Sequence, residues 1–431
     1  MKSVASFALG CKVNQAESEA IAEAFADRGY EIKNIDEKAD IYVVNTCSVT
    51  NFGDKKSRQL LRKVKRLNPE AVVVAAGCYA QVNSKTVSEI SEVDIVVGTK
   101  GRDKIVNDVE KFLSDRQKMC LVGDIMKEHE FEPISVRKLA GRTRAYIKIQ
   151  DGCSQFCSYC IIPYARGPIR SRDEEDIMRE VEKLAHNGFK EVVLAGIHVA
   201  SYGKDKHTTN LLGLIKRVDA VDGIERIRLS SVEPNIVTDE FAKELSLMPK
   251  VCHHFHLSLQ SGCDKTLKAM NRHYTAQKYK EAVDLLRKYM PDTALTTDII
   301  VGFPNESEED FEESCRFAKE IGFAKIHVFP FSPKNGTPAA KMEGQIPVSV
   351  KNERSSRLIA ISDEMEDNFI KNYIGSTMDV LFEQTREGVF EGHTSNYIQV
   401  EVETDKDIKN KIIPVKITGE KNKKAFGEIC I

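Results

Sequence analysis

Three thiols fall within eight residues at Cys153-x-x-x-Cys157-x-x-Cys160, directly after an apolar stretch at residues 145–149 that reads as a strand. A four-iron, four-sulfide cluster normally takes one cysteine at each iron. A loop that supplies only three leaves one iron free to bind something else, which in a protein is usually substrate. A zinc knuckle would bring its fourth ligand at close spacing, and this loop offers none.

Cys11, Cys47 and Cys78 are far apart in sequence but share one setting, each directly behind an apolar strand pattern: Leu9-Gly10-Cys11, Asn45-Thr46-Cys47 and Ala76-Gly77-Cys78. In an open parallel sheet the carboxyl ends of the strands share one edge, and ligands bind in the crevice there. Three thiolates would meet at that edge, with Gly10 and Gly77 allowing close backbone approach. Three protein ligands with an open position also describe a catalytic zinc, so zinc rivals iron and sulfide at this second set. The neighbouring cysteine loop favours iron and sulfide. Cys120, Cys252, Cys263, Cys315 and Cys430 have no ligand-like spacing and read as structural.

The elements that must position these thiols follow from hydrophobic period. Strand patterns at 4–9, 41–45, 72–76 and 94–97 alternate with helix patterns at 16–28, 55–67, 81–92 and 104–114, which predicts a parallel sheet covered by helices. Residues 121–141 lose that periodicity and mix charges with proline and glycine, as a linker does. Six further strand patterns, at 144–149, 192–195, 226–230, 254–259, 295–301 and 325–329, alternate with helices that include 173–186, 239–246, 276–289 and 308–320. Six βα units predict a (β/α)6 partial barrel whose working face is the carboxyl end of its strands. Gly196, His198, Glu233 and Gln260 sit at such ends, where a nucleotide-like ligand could be gripped, although each alone could simply bond the barrel rim. A long helix at 351–373 precedes five short strand patterns at 378–383, 389–394, 397–402, 412–417 and 425–430, which suggest a small β-barrel. The expected domains are 1–120, 142–371 and 372–431, with 121–141 between the first two.

Composition sets few limits. The 431 residues carry 63 Lys and Arg against 65 Asp and Glu, a net charge of -2, so the balance names neither an acidic nor a basic partner. The first residues lack the pattern of a secretory signal, and no run reaches the roughly 18 apolar residues of a membrane span. The expected location is the cytoplasm, with no membrane partner. Eleven cysteines in that setting favour metal binding over disulfides. Lys55, Arg58, Arg62 and Lys65 or Arg66 recur at steps of three or four along one expected helix face, a stripe that could track RNA phosphates or simply be solvated. Arg166, Arg170 and Arg172 could also meet RNA, or pair with Asp173, Glu174 and Glu175.

The loop Cys153-Ser154-Gln155-Phe156-Cys157-Ser158-Tyr159-Cys160 resembles that of the radical S-adenosylmethionine (SAM) enzymes. The resemblance implies that the open iron binds SAM and that an electron from the cluster cleaves it to a 5'-deoxyadenosyl radical. The stretches around Cys11, Cys47 and Cys78, together with Cys160-Ile161-Ile162-Pro163-Tyr164-Ala165-Arg166-Gly167, resemble the methylthiotransferases almost from end to end. That family implies a second 4Fe-4S cluster on Cys11, Cys47 and Cys78, with SAM serving as methyl donor and as radical source. It also implies a carboxyl-terminal TRAM domain that contacts tRNA. Residues 373–431 hold eight Lys and Arg against ten Asp and Glu, so any RNA contact there would need a local face such as Lys421, Lys423 and Lys424.

Gly10-Cys11-Lys12-Val13-Asn14 departs from the Gly-Cys-Gln-Met-Asn of the isopentenyladenosine branch and the Gly-Cys-Pro-Lys-Asn of the ribosomal-protein branch. With Cys78-Tyr79-Ala80-Gln81 and Gly167-Pro168-Ile169-Arg170-Ser171-Arg172, it is similar to the branch that acts on N6-threonylcarbamoyladenosine at tRNA position 37. The implied partners are a tRNA anticodon stem-loop, an electron donor such as a flavodoxin or ferredoxin, and a sulfur donor. The competing expectations are a methylthiotransferase for isopentenyladenosine or a protein aspartate, and a non-catalytic RNA-binding protein with zinc at both cysteine sets.

Overall fold

The computed structural model describes residues 1–134 and 143–430. Strands β1 (Ser3–Ala8), β2 (Glu31–Ile32), β3 (Ile41–Thr46), β4 (Val72–Gly77), β5 (Ile95–Val97) and β6 (Met119–Leu121) form one parallel sheet in the order β2-β1-β3-β4-β5-β6. Every residue of β3 and β4 is buried, because helices cover both faces and no polar alternation is tolerated. Tyr42, Val44, Val73 and Ala75 pack on Leu61 and Val64 of helix Asn51–Leu67. Val43, Val72 and Val74 point the other way, toward Ile21 and Phe25 of helix Lys12–Asp27 and Val109 and Phe112 of helix Ile105–Asp115.

Two edge strands, β2 and β6, escaped the hydrophobic reading because they are short and largely exposed. The helix expected over 81–92 is instead two short turns, Cys78–Val82 and Ser84–Ser88. Asn83 separates them at φ -129° and ψ 36°, a non-helical geometry that asparagine accepts more readily than most residues. The expected boundary at 120/121 falls inside β6, and Glu132 bonds back to Arg102. Of the expected 121–141 linker, residues 135–141 lie outside the described residues.

The central region curls as expected. β7 (Arg144–Asp151), β9 (Glu191–Gly196) and β10 (Arg226–Leu229) are parallel, with β8 (Arg170–Ser171) as a short antiparallel edge. β11 (His254–His256), β12 (Ala294–Val301) and β13 (Lys325–Pro330) form a second parallel group. Parallel bridges Ile227↔Val251 and Val232↔Leu257 carry the curve from β10 to β11. One hydrophobic core runs under all six parallel strands, from Ile147 through Leu194, Ile227, Phe255 and Ile299 to Ile326.

Helix Val348–Lys371 packs on β13 and leads into a closed barrel of β14 (Thr377–Arg386), β15 (Val389–Thr394), β16 (Gln399–Glu403), β17 (Ile412–Lys421) and β18 (Lys424–Ile429), in the order β14-β15-β16-β18-β17. Its interior follows the period-two pattern, with Val380, Phe382, Val400, Val402, Val415 and Ile417 inward. This barrel docks on the central strands. Arg226 donates to the carbonyls of His393 and Asp379 at 2.8 and 2.6 Å, and Arg228 donates to that of Ser395 at 3.0 Å. Tyr397 stacks between His254 and His393, each 4.7 Å away, with the Arg228 guanidinium 4.6 Å over its ring. Among the described residues, no helix is long and apolar enough to cross a membrane.

Candidate active site

The first cysteine trio is assembled by the sheet. β1, β3 and β4 end side by side, and Cys11, Cys47 and Cys78 follow within a few residues of those ends. Gly10 has φ +96°, and a Cβ there would lie 2.7 Å from Cys47 Sγ, so the first strand end can approach the second thiol only as glycine. Asn14 stitches the edge: its Nδ2 donates to the carbonyls of Leu9 and Thr46 at 2.8 and 3.1 Å. Thr46 Oγ1 donates to the Ala76 carbonyl at 2.5 Å and accepts from the Ala80 amide at 3.2 Å, which ties Cys47 to the turn carrying Cys78. Cys11 is exposed, whereas Cys78 is buried, and burial pushes the Cys78 thiol up to about 11.

Arg166 reaches this trio from the other domain, its Nε donating to Cys78 Sγ at 3.3 Å. The guanidinium also bonds Asn14 Oδ1 at 2.5 Å, Glu17 at 2.6 Å and Asp151 at 3.2 Å. Around it lies a buried network of three carboxylates, Glu17, Glu132 and Asp151, and four cations, Arg102, Lys148, Arg166 and Arg170. One positive charge is left over, and a Cys78 thiolate would balance it. Burial pushes Glu17 and Asp151 up, but Arg102, Arg166 and Lys148 outweigh it and hold both carboxyls far below the usual range. Arg166 and Arg170 are therefore neither RNA contacts nor partners of Asp173 to Glu175, and Arg172 pairs with Glu180. The alternation of apolar and charged residues could not show this, because their partners come from distant elements.

The second trio is held by one loop. Gly152 has φ +75°, and a Cβ would sit 1.8 Å from the Pro168 carbonyl oxygen, so the chain turns there without a side chain. The Cys153 amide donates to the Gly167 carbonyl at 3.0 Å, and the Cys160 amide to that of Cys157 at 3.0 Å. Ser158 bonds the backbone of Ala269 and Met270 at 2.8 and 2.9 Å, which anchors the loop's far side. Arg272, which nothing in the sequence flagged, donates to Cys157 Sγ at 3.1 Å and to Glu233 at 2.6 Å. Burial pushes the Cys153 thiol up to about 11 and that of Cys160 up to about 12.

One cavity of about 1180 Å³ is lined by Cys153, Cys157 and Cys160 of the second trio and by Cys11 of the first, with Cys47 and Cys78 behind Cys11 and off the cavity wall. Gly196, Glu233 and Gln260 line it too, as expected of a ligand site at the strand ends. His198 Nε2 lies 3.0 Å from Glu233 Oε2. Burial raises the Glu233 carboxyl, but His198 and Arg272 outweigh it and hold the group below its usual range. Tyr397 and His393 close the cavity from the small barrel. Opposite, on β11, β12 and β13, His256, Asp298 and His327 bring their ligand atoms within 4.8 Å of one another.

The donor chemistry tests what the trios fit. Zinc at about 2.3 Å from each sulfur would draw three thiolates to roughly 3.8 Å from one another. The ligand atoms of His256, Asp298 and His327 lie within 4.8 Å of one another, whereas among the described residues neither cysteine trio brings all three sulfurs that close. Three thiols spread wider than a single ion allows, each set touched by a guanidinium that would stabilise thiolate, suit a cubic cluster.

The expected RNA stripe is less uniform. Lys55 and Arg66 are exposed on helix Asn51–Leu67, whereas Arg58 bonds the Tyr79 hydroxyl at 2.8 Å and Arg62 lies 4.0 Å from Glu92. Lys65 pairs with Asp94. In the small barrel Lys423 pairs with Asp363 and Lys424 with Glu391 and Glu401, so that suggested basic face is largely neutralised within the chain.

Residues 147–318 match the radical SAM superfamily and residues 3–98 match the uncharacterized protein family UPF0004. The chain is 44% identical over 97% of its length, and 94% of the relative's, to the threonylcarbamoyladenosine tRNA methylthiotransferase MtaB of Bacillus subtilis. The chain belongs to the radical SAM methylthiotransferases. A tRNA-2-methylthio-N(6)-dimethylallyladenosine synthase of Clostridium botulinum is 36% identical over 95% of this chain and 92% of its own. Among solved structures, the radical SAM methyltransferase TsrM of Kitasatospora setae superposes with a TM-score of 0.57 at 14% identity, covering 90% of this chain and 79% of TsrM, a likeness of fold. As a member of this family the protein is an enzyme that uses SAM and a 4Fe-4S cluster.

Proposed function

We propose that this methylthiotransferase converts N6-threonylcarbamoyladenosine to its 2-methylthio derivative at tRNA position 37. The observation that carries the reading is the shared cavity: all three thiols of the loop set and Cys11 of the strand-end set, from different domains, line the same space. Cys153, Cys157 and Cys160 would hold the SAM-binding cluster, and Cys11, Cys47 and Cys78 a second 4Fe-4S cluster. When bound, these groups and SAM supply the radical, the sulfur and the methyl group.

The chain's own residues bind, orient and shield. Gly196, Glu233 and Gln260 are placed to grip SAM along the strand ends, with His198 and Arg272 keeping Glu233 ionised at neutral pH. Arg272 bridges Glu233 and the Cys157 sulfur, so it fixes the cofactor side of the cavity relative to its metal ligands. Arg166 plays the matching part at Cys78. The walls contributed by the small barrel limit water access, which protects a reactive intermediate. Lys55, near the start of the helix that follows Cys47, and Arg66, roughly 16 Å farther along it, are exposed where an anticodon stem could lie. An external electron donor and a sulfur donor complete the reaction's needs.

Mass spectrometry of total tRNA nucleosides from a deletion strain tests the substrate. Loss of 2-methylthio-N6-threonylcarbamoyladenosine, restored by the gene, supports the reading. Loss of 2-methylthio-isopentenyladenosine alone, or of no tRNA nucleoside, rejects it.

A further inference from the structure

Five Lys and Arg side chains line the cavity, and four have acidic partners: Arg272 pairs with Glu233, Lys325 with Glu366, Lys423 with Asp363 and Lys424 with Glu391 and Glu401. Lys12 is the fifth. Among the described residues no carboxylate comes within 4.0 Å of its ammonium, which lies 5.9 Å over the Tyr146 ring. Beside it Arg144, Arg226 and Arg228 share Glu191, with Glu383 as Arg144's second partner. Asp379 also attracts Arg226, so three carboxylates match the three guanidiniums and Lys12 carries the positive charge left over. The cavity wall opposite carries Asp298, which would repel an anion.

We propose that Lys12 is a specificity-determining residue that binds the carboxylate on the N6 substituent of the substrate nucleoside. The inference rests on the function proposed above. Lys12 follows Cys11 directly, so an adenine presenting C2 to the first trio brings the end of its N6 substituent, which lies across N1 from C2, into the neighbourhood of this ammonium. The dimethylallyl substituent of the related nucleoside carries no charge and cannot pair with this lysine, so the acid alone gains the ion pair, and that difference sets the preference.

The test is binding of fluorescent anticodon stem-loop RNAs to the cluster-loaded full-length enzyme. Three hairpins carry N6-threonylcarbamoyladenosine, its methyl ester, or unmodified adenosine, and the iron content of each variant is measured alongside. Wild type should bind the acid at least tenfold more tightly than the ester. Lys12→Met should bring the acid-to-ester ratio to about one, and Lys12→Arg should retain most of it. Lys12→Gln gives the same reading if methionine disturbs cluster loading. A ratio unchanged in Lys12→Met overturns the inference, as does equal weakening toward all three hairpins, which would mark a phosphate contact. A wild-type enzyme that does not distinguish modified from unmodified RNA overturns the substrate reading, and the inference with it.

Discussion

The two cysteine trios solve one problem by opposite means. Cys153, Cys157 and Cys160 are fixed by a single loop whose turns close on themselves and on the neighbouring Ala269–Met270 backbone. Cys11, Cys47 and Cys78 come from three strand ends, and their convergence depends on sheet register, on Asn14 and Thr46, and on Arg166 from the next domain. A local site tolerates disturbance elsewhere in the chain. A distributed site inherits every disturbance of the interface that completes it.

The largest effect should come from the thiols themselves. Cys157→Ala is expected to abolish 5'-deoxyadenosine formation, whereas Cys47→Ala should keep SAM cleavage yet lose all methylthiolated product, with iron falling from about eight per chain to about four. Liquid chromatography of the reaction and an iron assay check both. Equal loss of SAM cleavage in the two variants would erase the division of labour.

Next, Arg166→Met removes a buried cation from between Glu17 and Asp151. Breaking such a pair typically costs about 3–5 kcal/mol, because the remaining charges cannot be hydrated. Denaturant titration should show that loss, and the first trio should release its iron before the second. If both trios lose iron together, the interface supports the whole cavity rather than one half.

Arg272→Met touches the local loop, where backbone bonds still hold the thiols. Iron should stay bound while SAM cleavage falls roughly 10–100-fold, the usual range for a side chain that orients a metal ligand. A redox titration followed by electron paramagnetic resonance should show a shifted potential for that cluster alone. The smallest effect is expected for Gly10→Ala, which forces alanine to φ +96° against Cys47 Sγ. Backbone strain of about 1–3 kcal/mol, together with the shift of Cys47 Sγ that a 2.7 Å contact forces, should weaken cluster retention at the first trio and leave SAM cleavage intact.

Different parts of the protein were legible for different reasons. The loop of Cys153 to Cys160 was readable because its ligands are neighbours in sequence as in space. The strand-end cysteines were readable because parallel topology makes strand ends coincide, so a repeated local pattern became a spatial one. Arg166 stood in plain view beside that loop, yet its role at Cys78 stayed hidden, since the pairing spans 88 residues and two domains. Arg272 gave no signal at all. The same holds for Tyr397, which reaches the cavity from the carboxyl-terminal barrel to stack between His254 and His393.

Hydrophobic period and cysteine spacing by themselves determined the α/β class, the curled central sheet and the small closing barrel, and singled out six thiols as candidate ligands. Packing decided the rest: which charges are buried together, which cations lose their acidic partners, and that Cys11 shares a cavity with Cys153, Cys157 and Cys160. The physical reason is range. Apolar periodicity records what a segment needs on its own face, whereas a guanidinium or ammonium takes its role from whichever carboxylate or sulfur the folded chain sets within hydrogen-bonding reach.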